Sequence, residues 1–171
     1  FIWLKEAGVA LPVYCVQEPE LPLLLSKSTN LFKLFLSDVG LLASMYVDGL
    51  QLKILSREKD INFGAIYENV AAQELKAHGF ELYYFNSKKQ GELDFVIEYK
   101  GNVLPLEIKS GKAYTRHNAL DNVLKEERYA IPQAFVFCNK NISTQEKIVY
   151  LPIYMIGFLE KEKIEEYIYS I

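Results

Sequence analysis

The chain has 171 residues, of which 50% are hydrophobic and 13% aromatic, so it is long and apolar enough to bury a core of its own. Its net charge of −3 and pI near 5.5 argue against a protein that binds nucleic acid through its overall charge. The apolar runs at 10–16 and 21–25 are interrupted by proline and too short to span a membrane, so we expect a cytoplasmic globular protein without a membrane partner.

The first 47 residues predict a small module. Residues 1–8 look like the end of a helix, and a short helix capped by Ser37 or Asp38 is expected to run through Met45. Three segments between them are strand candidates: 9–16, 21–26 (the weakest of the three) and 31–36. A polar connector is then expected at 48–62.

The start of the chain carries four large apolar residues in a row: Phe1, Ile2, Trp3 and Leu4. Such a cluster lowers solubility unless it is covered. We therefore expect Trp3 to be largely buried, either within residues 1–45 or in a contact of a homodimer.

Residues 63–78 predict a helix that ends at Gly79. One apolar stripe contains Phe63, Ile66, Val70 and Ala77, a second line contains Glu68, Ala71, Ala72 and Leu75, and the side chains expected to face water are Asn69, Gln73 and Lys76. The alanines allow close approach to a sheet. Glu68 is therefore either a boundary glutamate whose carboxylate reaches water or a member of a site that the sheet completes.

Residues 92–109 predict a β-hairpin whose two strands alternate in polarity. Leu93, Phe95, Ile97 and Tyr99 alternate with Glu92, Asp94, Val96 and Glu98, and Leu104, Leu106 and Ile108 alternate with Val103, Pro105, Glu107 and Lys109. This places Asp94, Glu107 and Lys109 on one face, within roughly 5–8 Å of one another. Such a group is ordinary on the wet side of an amphipathic hairpin, but close carboxylates repel and give a purely structural surface no advantage.

The tight turn of the hairpin leaves two registers open. If Gly101-Asn102 is the loop, Asp94 lies opposite Lys109, with Glu107 on the diagonal. If Lys100-Gly101 is the loop, Asp94 lies opposite Glu107. We favour the first register, because the second requires a positive φ at Lys100.

The remaining elements predicted are strand 80–86, helix 116–129, strands 133–138 and 147–155, and a charged terminal helix from about residue 159. Cys15, Cys138, His78 and His117 lack the spacing of metal ligands, so we expect reduced thiols and surface histidines.

Three strings carry a resemblance to a known family: 64–69, 91–96 and 105–111. Glu68, Asp94 and the triplet Glu107-Ile108-Lys109 follow one another in the order helix, strand, strand, as in the core of the PD-(D/E)XK nuclease superfamily. Together with 35–43, the strings resemble the uncharacterised C-terminal domain found behind an AAA-type ATPase module in many bacterial and archaeal proteins. The proline that names the superfamily motif is absent, since Leu93 precedes Asp94.

The resemblance implies an α/β fold with a restriction-endonuclease-like core at 63–171, in which helices flank a mixed central sheet and helix 63–78 and hairpin 92–109 form the site. A partial winged-helix-like module at 1–47 and the connector at 48–62 would precede it. The expected partner is the protein's own ATPase module. This chain has no ATP site of its own, because it contains no G-x-x-x-x-G-K-[ST] string.

We expect this site to use Mg²⁺ or Mn²⁺, because carboxylate oxygens are the ligands that Mg²⁺ prefers. Asp94 and Glu107 would hold the ion, joined, by resemblance, by the backbone carbonyl of Ile108. Glu68 would bind a second ion or a water of the first. Lys109 would orient the attacking water or stabilise charge on the phosphorane.

The motif is surrounded by basic residues that we expect to bind a DNA phosphodiester: Lys88, Lys89, Lys112 and Arg116. The total charge hides this basic stretch, because acidic residues of the C-terminal tail lower it: Glu160, Glu162, Glu165 and Glu166. The alternative is an ordinary surface of mixed charge.

Three functions follow from these observations. The first is a metal-dependent endonuclease that acts on DNA. The second is a catalytically silent nuclease-fold module that binds DNA or protein, or regulates the attached ATPase. The third is a structural interaction domain, for which twelve tyrosines and the acidic tail argue.

Overall fold

A computed structural model describes residues 2–45 and 63–161, together with the isolated residues 49, 52 and 56. Most of the predicted connector at 48–62 lies outside the described residues. The same holds for Phe1 and for the predicted terminal helix beyond residue 161, with the acidic residues it contains.

Four α-helices and eight β-strands make up the described fold. The helices are α1 (Ile2–Glu6), α2 (Val39–Ser44), α3 (Phe63–Ala77) and α4 (Asn118–Lys125). The strands are β1 (Ala10–Val16), β2 (Lys27–Leu36), β3 (Tyr83–Ser87), β4 (Gly91–Tyr99), β5 (Asn102–Ile108), β6 (Ala134–Cys138), β7 (Ser143–Gln145) and β8 (Ile148–Pro152). Short 3₁₀ helices lie at Leu23–Ser26, Glu127–Tyr129 and Ile153–Phe158.

The eight strands form one mixed sheet in the order β2-β1-β3-β4-β5-β6-β8-β7. Neighbours are parallel in the pairs β1/β3, β5/β6 and β6/β8 and antiparallel in the other four. The predicted mixed α/β fold with a central sheet is therefore confirmed. The strands of the first 47 residues belong to this same sheet, through the pairing of β1 with β3. The predicted division into domains is not tested and stays a prediction.

Helices cover both faces of the sheet. On one face, which we call the α3 face, Ala71, Ala72 and Leu75 of α3 pack on the strands. On the other, the α4 face, Leu120 and Val123 of α4 do the same. Among the described helices, none combines the length and apolar character needed to cross a membrane.

The sequence predicted one polar face for the central hairpin, but both of its faces are apolar. Val96 and Val103 are buried on the α4 face, whereas Ile97 and Leu104 are buried on the α3 face. A strand in the middle of a two-sided sheet has no face left for water, so alternation of polarity is lost there. The charged residues of the hairpin are confined to its open end and to exposed positions such as Glu98.

The hairpin turn is Lys100-Gly101, so the register we favoured is wrong. Tyr99 pairs with Asn102 and Phe95 with Leu106. Lys100 and Gly101 both have positive φ, at 50° and 70°. A two-residue turn of this kind matches the twist of the flanking strands, and that match outweighs the strain at Lys100. If this register is continued by one more pair, Asp94 lies opposite Glu107.

A β-bulge interrupts the alternation in β4. Tyr83 pairs with Val96 but Phe85 pairs with Leu93, so β4 has one residue more than β3 in this stretch. Leu93 consequently packs on the α4 face, whereas Phe95 packs on the α3 face. The prediction that these two side chains share a face is wrong, because an extra residue reverses the parity of the strand beyond it.

Helix α3 buries Ala71, Ala72 and Leu75, and Lys76 faces water as predicted, but the other two residues expected to face water do not. Asn69 is buried and clamps the end of β2: its Oδ1 accepts a hydrogen bond from the Leu36 N–H at 2.8 Å, and its Nδ2 donates to the Leu36 carbonyl at 2.9 Å. Gln73 accepts a hydrogen bond from the Val39 N–H at 3.0 Å. Polar side chains thus fasten β2 and α2 to this helix.

Three further predictions meet a clear outcome. The short helix capped by Asp38 is confirmed, since the Asp38 side chain accepts hydrogen bonds from the N–H groups of Gly40 and Leu41. The weak strand candidate at 21–26 is a 3₁₀ helix instead. Trp3 is 85% exposed, so the expected burial within residues 1–45 is wrong and only the predicted homodimer contact is left untested.

One of the two histidines is buried, and the two cysteines are free as predicted. His117 is buried and lies 2.7 Å from the Tyr150 hydroxyl and 3.0 Å from the Asp121 carboxylate, so the expectation of a surface histidine is wrong for it. Cys15 and Cys138 are buried free thiols.

Candidate active site

Strands β4 and β5 separate at one end of the hairpin, and the Asp94 side chain fills the gap. The ladder between them ends at the pair Phe95–Leu106. Beyond it, the Ile108 N–H donates to Asp94 Oδ2 at 2.8 Å. A side-chain carboxylate thus replaces a backbone carbonyl as the acceptor, which holds Asp94 in the plane of the sheet beside Glu107.

Glu107 and Lys109 form an ion pair at this gap. The Lys109 Nζ lies 2.7 Å from Glu107 Oε2. Glu107 is only 3% exposed, whereas the Lys109 side chain is 26% exposed. The backbone of Lys109 is held against β6, because its N–H donates to the Phe137 carbonyl at 2.8 Å. The backbone of the lysine is therefore fixed, and its side chain is partly exposed.

The carboxyl of Glu107 is the most perturbed acid of the site. Burial, reinforced by the neighbouring charge of Asp94, raises its pKa to about 7, although Lys109 acts in the opposite direction. In its protonated form it shares a hydrogen bond with Asp94. Burial by itself would lower the pKa of Lys109, but Glu107, then Asp94 and Glu68, outweigh it and raise the pKa.

Glu68 faces the same cluster from helix α3. Its pKa is raised, first by burial and then by the charge of Asp94, while Lys33 and Lys109 counteract part of the rise. The sequence predicted that Glu68, Asp94, Glu107 and Lys109 would converge. The structure brings these four side chains into one charged cluster, since Glu68 and Glu107 each interact with both Asp94 and Lys109.

Two charged residues of this cluster were missed from the sequence. Lys33 of β2 forms an ion pair with Glu92 of β4, with 2.6 Å between Nζ and Oε1. Both act electrostatically on Glu68, Lys33 lowering its pKa and Glu92 raising it. Glu92 could have been noticed from its place two residues before Asp94. Lys33 could not, because its proximity depends on the order of strands in the sheet.

The four basic residues predicted to surround the motif do not all lie beside the cluster. Lys88 and Lys89 are exposed in the turn between β3 and β4, and Lys112 and Arg116 are exposed in the loop after β5. Lys89 lies 3.7 Å from Glu126, just after α4, so it is drawn toward the α4 face. Glu68 projects from the opposite face, so this lysine is not positioned beside it.

Asp94 and Glu107 are the two residues at the gap that could hold a metal ion. Among the described residues, no three His, Cys, Asp or Glu side chains are grouped so that they could hold a metal. Mg²⁺ does not need three, because it commonly takes one or two carboxylates and completes its shell with water and phosphate oxygens. Asp94 and Glu107 are close enough to share a proton, and a cation could take the place of that proton.

The sequence was also compared with known proteins. Residues 63–156, more than half of the chain, match the family model described as "Domain of unknown function (DUF4143)". The chain belongs to the DUF4143 family. No curated protein and no solved structure matches it.

The DUF4143 match contains the four converging residues Glu68, Asp94, Glu107 and Lys109. It leaves out β1 and β2, although both strands are part of the same sheet. Lys33, which lies on β2, therefore reaches the cluster from outside the matched region.

Proposed function

We propose that this DUF4143 domain is a metal-dependent phosphodiesterase with a PD-(D/E)XK nuclease-like site, and that it acts on DNA as the C-terminal domain of an AAA-type ATPase. One observation carries the proposal. Two carboxylates from adjacent strands, Asp94 and Glu107, meet at a gap in the sheet, and the Lys109 ammonium lies 2.7 Å from one of them. An isolated structural ion pair would gain nothing from the second carboxylate, since close like charges repel.

Asp94 and Glu107 would hold Mg²⁺ or Mn²⁺ there, with the backbone carbonyl of Ile108 as a third donor by resemblance. The ion would polarise the phosphodiester and lower the pKa of a water. Glu68, half-buried beside Asp94, would hold a second ion or a water beside the first.

The protein's own residues would then direct the hydrolysis. The oxygen of a water forms a bond to phosphorus, the bond from phosphorus to the leaving sugar oxygen breaks, and the leaving oxygen takes up a proton. Lys109 is anchored through its backbone N–H to β6 and its side chain is partly exposed, so its ammonium can orient the water or stabilise the negative charge that grows on the phosphate oxygens.

A catalytically silent module that binds a protein partner or regulates its ATPase is the second candidate. The observation that favours it is the exposure of large apolar side chains within residues 2–45. The most exposed are Trp3 at 85%, Leu25 at 82% and Met45 at 73%. Exposed apolar residues of this size are typical of surfaces that are covered in an assembly.

Cleavage of DNA separates the two candidates. The protein is incubated with linear and with circular DNA in Mg²⁺ or Mn²⁺, beside the variant Lys109→Met, which keeps most of the side-chain volume without the charge. We expect cleavage by the wild type in the presence of metal, none in EDTA, and a loss of at least about 100-fold in the variant, as for removal of one group that stabilises transition-state charge.

The matched control is Lys100→Asn, which removes a lysine at the opposite end of the same hairpin. Asparagine tolerates the positive φ of this position, so the turn should be kept. This variant should cleave like the wild type. Cleavage that Lys109→Met leaves unchanged would point to a contaminating nuclease, and the absence of cleavage with either metal would favour the silent module.

A further inference from the structure

Lys33 extends across the sheet toward the proposed active site. It lies on β2, at the edge of the sheet formed by the described residues, and pairs with Val13 of β1. Its ammonium lies 5.0 Å from the centre of the Tyr84 ring on β3 and 2.6 Å from Glu92 Oε1 on β4. Three strand spacings separate β2 from β4, roughly 14 Å. The Lys33 and Glu92 side chains therefore extend toward each other over β1 and β3 and meet between β2 and β4.

The Glu92 carboxylate occupies a site with two donors. Lys33 approaches one of its oxygens, and Asn86 Nδ2, directly across from it on β3, donates to the other at 2.9 Å. The Lys33 side chain is 23% exposed, whereas that of Glu92 is 44% exposed. Lys33 is thus held over the Tyr84 ring by the surrounding fold, whereas Asn86 and Glu92 are more exposed and the carboxylate can swing into solvent.

This site lies beside Glu68 and is therefore part of a larger cluster of charged side chains. With Glu68, Asp94 and Glu107, Glu92 makes four carboxylates near two ammonium groups, those of Lys33 and Lys109. A polyanion that approaches such a cluster is repelled unless a carboxylate withdraws. Glu92 is the most exposed partner of a lysine in this group, so it can withdraw at the least cost.

We propose that Lys33 and Asn86 form a subsite for a backbone phosphate of nucleic acid, next to the phosphate that is cleaved, and that Glu92 fills this subsite until the nucleic acid displaces it. The inference rests on the proposed function. It extends the site beyond the DUF4143 match, because β2 supplies the lysine. An ammonium and an amide N–H are the donors that position a phosphate without reading base sequence.

The affinity for DNA, measured in EDTA so that no metal supports cleavage, tests this subsite. A short fluorescent DNA duplex is titrated with protein in EDTA over a series of salt concentrations, and binding is followed by anisotropy. Lys33→Met should bind about tenfold more weakly, the effect of losing one hydrogen bond to a charged group. The slope of log K against log salt should fall by about 0.9, the value for one phosphate contact. Glu92→Gln should bind more tightly than the wild type.

Lys27→Met is the matched control, because Lys27 lies on the same strand and also over a tyrosine, 3.9 Å from the centre of the Tyr14 ring. It should bind DNA like the wild type. Asn86→Ala provides a second variant of the subsite, and thermal unfolding shows whether each variant is folded. The proposal is overturned if the wild type does not bind the duplex at low salt, or if folded Lys33→Met and Asn86→Ala both keep the wild-type affinity and salt slope.

The two proposals fail separately. Cleavage that depends on Lys109 together with unchanged binding in Lys33→Met would remove the subsite and keep the phosphodiesterase. Binding that depends on Lys33 with no cleavage in any metal would remove the phosphodiesterase and leave a phosphate-binding surface.

Discussion

Replacing Glu107 by glutamine should change how the stability of the protein depends on pH. The pKa of Glu107 rises from 4.5 to about 7 on folding, through burial and the charge of Asp94. Between these values the unfolded chain has lost the proton that the folded protein keeps. The stabilising contribution is therefore complete below pH 4.5 and is lost as the pH rises through about 7.

The size of the effect follows from the shift. A difference of about 2.5 pKa units corresponds to about 3 kcal/mol at roughly 1.4 kcal/mol per unit. Glutamine imitates the protonated acid, since its amide can donate to Asp94. Glu107→Gln should therefore exceed the free energy of unfolding of the wild type by about 1 kcal/mol at pH 5 and by about 3 kcal/mol at pH 8.

Urea denaturation of both proteins at pH 5, 6, 7 and 8 measures this difference. Titrating groups that do not interact with Glu107 contribute equally to both proteins and cancel in the comparison, so Asp94 and Lys109 are the neighbours that shape the difference. Glu98→Gln is the control, because Glu98 is an exposed carboxylate on the same hairpin. If the difference between Glu107→Gln and the wild type stays constant from pH 5 to 8, Glu107 is not held as a protonated, buried partner of Asp94.

Three further perturbations have defined outcomes. Mg²⁺ should raise the melting temperature more at pH 8 than at pH 6, because it competes with the proton on Glu107. Asn69→Ala should cost about 2–4 kcal/mol in urea denaturation, since the N–H and carbonyl of Leu36 both lose a buried partner. Gly91→Ala should cost about 1–3 kcal/mol in the same assay, because its φ is +99° and the new Cβ would lie 2.9 Å from that of Ala119.

Each of these has an outcome that contradicts it. An equal Mg²⁺ shift at both pH values would mean that no proton is displaced. Gln73→Ala, which removes a single bond to Val39, should cost less than Asn69→Ala, and the reverse order would contradict the clamp. Gly111→Ala should be nearly neutral, because no atom lies within 4 Å of its Cβ position, and a cost equal to that of Gly91→Ala would refute the steric reason.

The sequence predicted most of the fold because its elements are local patterns. The periodicity of 63–78 and the alternation in 103–109 gave helix α3 and strand β5 within one or two residues of their bounds. Prediction from the sequence failed where the backbone conformation of a single residue changes the pairing of the strands. The positive φ of Lys100 set the register of the turn, and the bulge in β4 moved Leu93 to the other face. Such local backbone choices leave no trace in hydrophobic periodicity.

The candidate site, too, could be predicted from the sequence only in part. Glu68, Asp94, Glu107 and Lys109 could be brought together from the sequence because one helix and one hairpin carry them all. Lys33 could not, because its approach to Glu92 depends on β2 and β4 being separated by β1 and β3 in the sheet.

Binding of Mn²⁺, followed by electron paramagnetic resonance, tests the central claim most directly, namely that Asp94 and Glu107 share one divalent cation beside Lys109. We predict one tightly bound Mn²⁺ at pH 8 that Asp94→Asn and Glu107→Gln both abolish and that Glu98→Gln retains. Mn²⁺ that remains bound to both folded variants, or that does not bind to the wild type at all, would contradict the account.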